Sequence, residues 1–276
     1  MLGKAKAYLP RTPGLVGVGD IPGWDFLYRH STVRDPKFFV GDRVVLPDSR
    51  VFRYANAGNI ISHCKYGVKF WKQIGDGVAA VLAQGQSVGD REITIAAAGV
   101  VADEFRGGYV MIHVGTHQQF RGVLGNTATN AAGTITVYLD AELTVAVTVA
   151  HYTEILHNPY SEVRIACAEA GGSGNDYSSV AGIPNVITAV ANEYLWLQTW
   201  GPIWINSHGS SLQDAGITGG ERKLVFDCEG SVCVVDDVAH GPCGAGGDEQ
   251  QLAGFIIDRS AAGTSGPPLV MLQISP

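Results

Sequence analysis

The stretch from Tyr194 to Pro202 constrains the fold of this chain more than any other. Aromatic and amide residues alternate there with Leu and Thr, and a period of two places neighbouring side chains on opposite faces of a β-strand. Gly201 and Pro202 then end the pattern. Further strand-like segments, separated by Gly- and Asn-rich turns, recur along the chain, so the sequence predicts a protein built from β-strands.

Composition favours a turn-rich and weakly charged β protein. The 276-residue chain contains 36 Gly and 12 Pro, and charged residues make up only 16% of it. Because Gly and Pro are unfavourable inside helices, long solvated helices are not expected. The predicted fold is mainly β, with β-sandwich or barrel domains, Gly/Pro-rich turns, an extended N-terminal arm and little helix.

Charge, cysteine content and hydropathy restrict the classes of partner. A net charge of −7 disfavours a nucleic-acid partner, because phosphate binding requires clustered Lys and Arg. Five scattered cysteines, an odd number, indicate free thiols in a reducing cytoplasm rather than a disulfide scaffold. The N-terminus lacks the apolar core of a signal peptide, and nowhere do about 18 apolar residues follow one another. We therefore expect neither export nor a membrane partner.

Four regions are predicted along the chain. Residues 1–45 are rich in Pro and Gly and form an extended arm, whose aromatic residues dock either on a partner or on this chain's own barrel. Residues 46–170 carry the strongest strand signals and form one β domain. Residues 171–179 are a Gly-rich linker, and residues 180–276 form a second β domain.

One group of side chains has the donor atoms of a zinc site. Its members are Cys228, Cys233, His240 and Cys243. Zinc fingers pair their ligands closely, and this group lacks a second close pair. Free thiols are the preferred interpretation, and a local disulfide is the other alternative to a metal. No metal is therefore predicted.

Other polar residues do not form a recognisable catalytic pattern. His113 and His117 are four residues apart, but their surroundings are strand-like, so a shared ligand role is not expected. Asp236, Asp237 and Glu249 lie in polar loop segments, where carboxylates mostly cap turns or contact solvent. The sequence predicts no catalytic residue, no enzyme activity and no cofactor.

Trp196, Gln198 and Trp200 share one face of the strand predicted between Tyr194 and Pro202. Aromatic and amide side chains can stack on sugar rings or bind another protein. Alternation also allows one strand face to fill the core while the other meets a partner. These three residues are therefore a predicted oligomer or glycan interface.

Segments of the chain resemble virion structural proteins of tailed bacteriophages, of the kind that cover the outside of the head. They are, in the same order as in those proteins, Leu46–Gly58, then Gly107-Gly108-Tyr109 with Asn158-Pro159-Tyr160, and finally Tyr194–Pro202. Such proteins often have Gly in the Pro-Asp turn, where this chain has Ser49. The resemblance spans roughly residues 43–205.

The resemblance implies a capsid decoration, or cement, protein. Such a protein is a β-rich subunit, commonly trimeric, that clamps neighbouring major capsid proteins against internal DNA pressure. The expected partners are the major capsid protein and further copies of this chain in a homotrimer. The expected location is the outer surface of the phage head, after synthesis in the host cytoplasm. Trp24, Phe26, Tyr28 and Arg29 in the arm are the predicted capsid-binding anchor.

Two alternatives belong to other functional classes. The first is a carbohydrate-binding virion appendage that contacts the host surface through Trp196 or Trp200. The second is a polysaccharide hydrolase that uses Asp236, Asp237 or Glu249, which would require two carboxyl groups at a defined separation.

Overall fold

The computed structural model describes residues 25–71, 78–165, 179–207, 222–227, 230–234, 251–258 and 267–276. In these ranges one 3-10 helix, Asp25–Tyr28, precedes sixteen β-strands. The prediction of a mainly β fold of the barrel or sandwich type is confirmed. The strands are β1 (Arg43–Val45), β2 (Val51–Asn56), β3 (Val68–Lys69), β4 (Val78–Val81), β5 (Glu92–Ala96), β6 (Tyr109–Val114), β7 (His117–Asn126), β8 (Thr134–Leu139), β9 (Tyr152–Leu156), β10 (Arg164–Ile165), β11 (Val180–Pro184), β12 (Tyr194–Trp204), β13 (Lys223–Phe226), β14 (Val232–Val234), β15 (Leu252–Asp258) and β16 (Leu269–Gln273).

The chain forms two compact units, one of residues 1–71 and 160–276 and one of residues 72–159. This division differs from the predicted one. The predicted domain of residues 46–170 contains β2, which pairs antiparallel with β12 of the predicted second domain. Strands far apart in sequence therefore build one sheet, and most of the predicted first domain is an insertion between them. Most of the predicted linker lies outside the described residues.

The sheet of the first unit is antiparallel and curls into a half-barrel. Its strand order is β10-β3-β11-β12-β16-β15-β13-β14, and β2 pairs with both β12 and β1. One apolar cluster lies among β11, β12, β13, β14, β15 and β16, and includes Ile203, Leu224 and Leu272. Buried residues alternate with more exposed ones along β16 and the second half of β12, as expected when one face of a sheet packs on a core, whereas β11 and β14 are buried throughout.

The second unit is a six-stranded antiparallel sheet in the order β4-β9-β6-β7-β8-β5. Its two edge strands approach each other, because Leu82 forms a bridge with Ile95 and the N–H of Ala83 donates to the carbonyl oxygen of Thr94 at 2.7 Å. The sheet is thus a nearly closed barrel. Its interior is apolar and includes Ile93 and Ile112, both fully buried.

The predicted extended arm is described from residue 25 onwards, and in that part it is folded onto the first unit. Its residues include the 3-10 helix Asp25–Tyr28 and all of β1, which pairs with β2. The backbone of Ser31 forms a bridge with Tyr194, with N···O distances of 3.0 and 2.7 Å. Residues 25–46 are called the N-terminal segment below.

Candidate interaction surfaces

The N-terminal segment covers one face of the first half of β12. Leu27 and Phe38 are buried in a cluster with Tyr54 and Trp196. The ring of Phe38 meets the ring of Trp196 edge-on, with centroids 4.9 Å apart, and Phe26 meets it edge-on at 5.5 Å. Such edge-to-face contacts stabilise beyond the area that they bury. The aromatic residues of this segment therefore pack on the chain's own sheet, which was one of the two predicted alternatives.

The predicted capsid anchor is divided by this packing. Trp24 lies outside the described residues, and Phe26 is half-buried against Phe38 and Trp196. Tyr28 is 46% exposed, and its hydroxyl accepts a hydrogen bond from Arg50 at 3.3 Å. Arg29 is also exposed. Phe26 thus holds the segment in place, whereas Tyr28 and Arg29 face solvent.

Two buried polar groups fix the same segment. The N–H of Asp35 donates to the Tyr54 hydroxyl at 3.1 Å, and burial raises the pKa of Tyr54. The carboxylate of Glu193 accepts the N–H of Ala189 at 2.6 Å and lies 2.9 Å from Nδ1 of His30. Burial alone would raise the pKa of Glu193, but these hydrogen bonds outweigh it and hold that pKa below its usual value.

Of the predicted interface residues Trp196, Gln198 and Trp200, the first two are buried within the chain. Trp196 and Gln198 are each only 2% exposed. The amide of Gln198 donates to the carbonyl oxygens of Trp200 and Pro202 at 3.2 and 3.0 Å. Trp200 is half-exposed and follows a bulge in the pairing of β12 with β2. Because the chain itself covers Trp196, that ring has no free face for a sugar, which removes the main support for the carbohydrate-binding alternative.

Beyond the bulge, one face of the half-barrel carries uncovered apolar side chains. Pro202 and Trp204 on β12 lie opposite Met271 and Leu269 on β16, and Met271 also lies opposite Phe255 on β15. Trp204 is 45% exposed. We call this surface the Trp204 face, and its members are Pro202, Trp204, Phe255, Ile257, Leu269 and Met271. The charged neighbours in its register are Lys223 opposite Phe255 and Asp258 opposite Leu269.

The six-stranded barrel carries a second surface of this kind on its outer side. Met111 on β6 lies opposite Phe120 on β7, and Tyr109 stacks on Phe120 with ring centroids 5.2 Å apart. Phe120 is 54% exposed. We call this surface the Phe120 face, and its members are Val81, Tyr109, Met111, Phe120 and Tyr152, with Tyr152 lying opposite Val81. The polar side chains of His113 and Glu154 lie opposite Tyr152 and Met111 on this surface, with Nε2 of His113 3.6 Å from Oε1 of Glu154.

Most of the residues considered for chemistry lie outside the described ranges. These are Cys228, Asp236, Asp237, His240, Cys243 and Glu249. Cys233 is described and is buried on β14. His113 and His117 are on β6 and β7, where His113 lies opposite Gln118. Within the parts of the chain that the structure describes, no three His, Cys, Asp or Glu side chains are grouped as metal ligands would be.

Sequence reasoning missed both uncovered faces, although the signal for each is visible. Tyr109 and Met111, or Phe255 and Ile257, place large apolar residues at alternate positions of strands whose other positions are apolar as well. A strand that is apolar on both faces predicts burial on both faces.

No helix in the described ranges is long and apolar enough to span a membrane. No family model, curated protein or solved structure matches the chain.

Proposed function

We propose that this protein is a capsid decoration protein of a tailed bacteriophage. It binds the outer surface of the head as a trimer and stabilises contacts between major capsid proteins. The observation that carries the proposal is the position of the segments that resemble such proteins. Leu46–Gly58 contains β2 and Tyr194–Pro202 lies within β12, and these strands pair with each other. Tyr160 joins them, because its carbonyl oxygen accepts the N–H of Asn56 at 3.0 Å.

These segments serve the rigidity of a sheet. Their side chains form apolar clusters. A shell component needs stiffness and surfaces that bind other proteins, and long-range antiparallel pairing supplies the stiffness. The resemblance and the arrangement of the resembling segments therefore support the same role.

The exposed part of the anchor supplies the contact with the head. Phe26 and Leu27 fix the 3-10 helix on Trp196, so Tyr28 and Arg29 are presented on an ordered backbone. Tyr and Arg are enriched among the residues that dominate binding energy at interfaces. Little conformational entropy is lost on binding when the backbone is already ordered. We therefore assign head binding to Tyr28 and Arg29.

The test is binding of the purified chain to heads assembled from the major capsid protein of the same phage. We expect saturable co-sedimentation and a higher temperature of head disruption. The double variant Tyr28→Ala with Arg29→Glu should weaken binding at least about 30-fold, because two interface residues are lost. Lys37→Glu, which reverses an exposed charge in the same segment, is the matched control and should bind normally. Absence of co-sedimentation by the wild type would overturn the proposal.

A further inference from the structure

We infer that the Trp204 face of one copy of this chain packs against the Phe120 face of a neighbouring copy. This inference rests on the trimer in the proposed function and names the surfaces that form it. The occupant of each face is thus a second copy of the same chain.

Each face offers enough apolar area for one side of an interface. A fully exposed aromatic side chain presents about 200 Å², so the partly exposed members of each face together leave roughly 400 Å² of apolar surface uncovered. A standard interface takes about 800 Å² from each partner, of which a little more than half is apolar. Each face therefore matches the apolar part of one side of a standard interface.

The two faces are built from different strands. The Trp204 face is built from β12, β15 and β16, whereas the Phe120 face is built from β4, β6, β7 and β9. A patch that binds its own copy produces a twofold dimer, whereas a cyclic trimer needs two different patches that bind head to tail. A chain with two unlike apolar faces of similar size meets the requirement for a ring. In such a ring each copy covers both faces at once.

The charges near each face also bear on whether two copies can meet. A chain of net charge −7 repels its own copies, so contact requires faces that carry few uncompensated charges. Glu154 lies opposite Met111 within the Phe120 face, and its Oε1 is 3.6 Å from Nε2 of His113. Lys223 and Asp258 are opposite charges beside the Trp204 face. Exposed Lys223 also offers a partner of opposite sign for exposed Glu154 of the next copy.

The experiment uses two variants that each destroy one face, Trp204→Glu and Phe120→Glu. Mass is measured by light scattering over a concentration series without any capsid protein, so failure here is distinguishable from failure of head binding. We expect the wild type to be a trimer and each variant to be a monomer. The dissociation constant between copies should rise at least about 30-fold in each variant. Ile187→Glu and Val88→Glu introduce the same charge at exposed apolar residues outside both faces, and they should remain trimers.

Mixing the two variants is the decisive step. Trp204→Glu retains an intact Phe120 face, and Phe120→Glu retains an intact Trp204 face, so the mixture should form a one-to-one pair and nothing larger. A wild type that stays monomeric, a variant that stays trimeric, or two variants that do not pair would each overturn the inference. Melting curves show that the variants are folded, and Trp204→Ser with Phe120→Ser replaces any variant that is not.

Discussion

The two halves of β12 differ in how they are covered. Between Tyr194 and Thr199, Leu195 and Leu197 pack into one apolar cluster and Trp196 into another, so both faces of the strand are buried. After Gly201, Ile203 packs into the core but Trp204 is 45% exposed. The N-terminal segment makes the difference, because Leu27 and Phe38 lie on Trp196.

An aromatic residue on a strand is available to a partner only where the rest of the chain does not pack on it. Trp196 and Trp204 belong to the same strand and have the same chemistry, yet the described residues bury the first and leave the second 45% exposed. A surface for partners is therefore found by asking which apolar side chains remain uncovered after the chain's own segments have packed. By that criterion the Trp204 and Phe120 faces are candidates, and Trp196 is not.

Truncation of Trp196 should destabilise the fold far more than truncation of Trp204. Trp196→Ala should lower the free energy of unfolding of the first unit by about 3–5 kcal/mol, because it leaves a cavity under the N-terminal segment. Trp204→Ala, the matched control in the same strand, should change it by about 0.5 kcal/mol or less in the monomer. Denaturant unfolding followed by circular dichroism at low protein concentration measures both. Equal losses would contradict the distinction between the two halves.

A second prediction concerns Gly201, at the boundary of the two halves. Its φ is +94°, and an added Cβ would lie 2.9 Å from Cα of Arg50. Gly201→Ala should destabilise the first unit by about 2–4 kcal/mol, since backbone strain and overpacking both contribute.

Gly89 is the matched control for this substitution. It has the same φ of +94°, but an added Cβ would meet nothing within 4 Å. Gly89→Ala should therefore lower the free energy of unfolding only by the strain of the left-handed backbone, about 1–2 kcal/mol. If the two substitutions cost the same, the contact with Arg50 does not limit the packing of β12.

Local alternation allowed the strands to be predicted, but it could not define the units. Tyr194–Thr199 was recognised as a strand because its residues alternate, and Tyr109–Val114 was recognised in the same way. The unit boundaries depend on which strands pair. The pairing of β2 with β12 joins residues about 140 positions apart, and no local pattern specifies it.

The candidate surfaces were harder to predict than the strands. The sequence showed that Trp196 is aromatic and in a strand, but it did not show that Phe38 would lie on that ring. Burial on the second face of a strand depends on which distant segment docks there. For the same reason Trp204 and Phe120 could not be distinguished from core residues before the fold was known.

A third prediction tests the cover itself. Phe26→Ala should lower the free energy of unfolding of the first unit by about 1–2 kcal/mol. This is less than for truncation of a fully buried Phe, because Phe26 is half-buried. It should also speed hydrogen exchange of the Ser31 and Tyr194 amides, which bond to each other's carbonyl oxygens. Tyr28→Ala is the control on the exposed side of the same turn, and both amides should keep wild-type protection in it. Unchanged exchange in Phe26→Ala would show that Phe26 does not hold the segment.

The smallest expected effect depends on pH and arises from Glu193. Its pKa in the folded state lies below the usual value of 4.5. The charged form therefore stabilises the fold above the pKa of the unfolded chain, and this contribution is lost as pH falls through the folded-state pKa. Glu193→Gln should lower the free energy of unfolding by about 1 kcal/mol near neutral pH, since the bonds to His30 and to the N–H of Ala189 lose their charge.

The melting temperatures of wild type and Glu193→Gln should accordingly converge as the solution is made more acidic than pH 4.5. Asp25→Asn, which removes an exposed carboxylate from the same unit, is the control. If the melting temperatures of Glu193→Gln and wild type still differ in acid, the substitution acts through packing and not through the loss of the carboxylate charge.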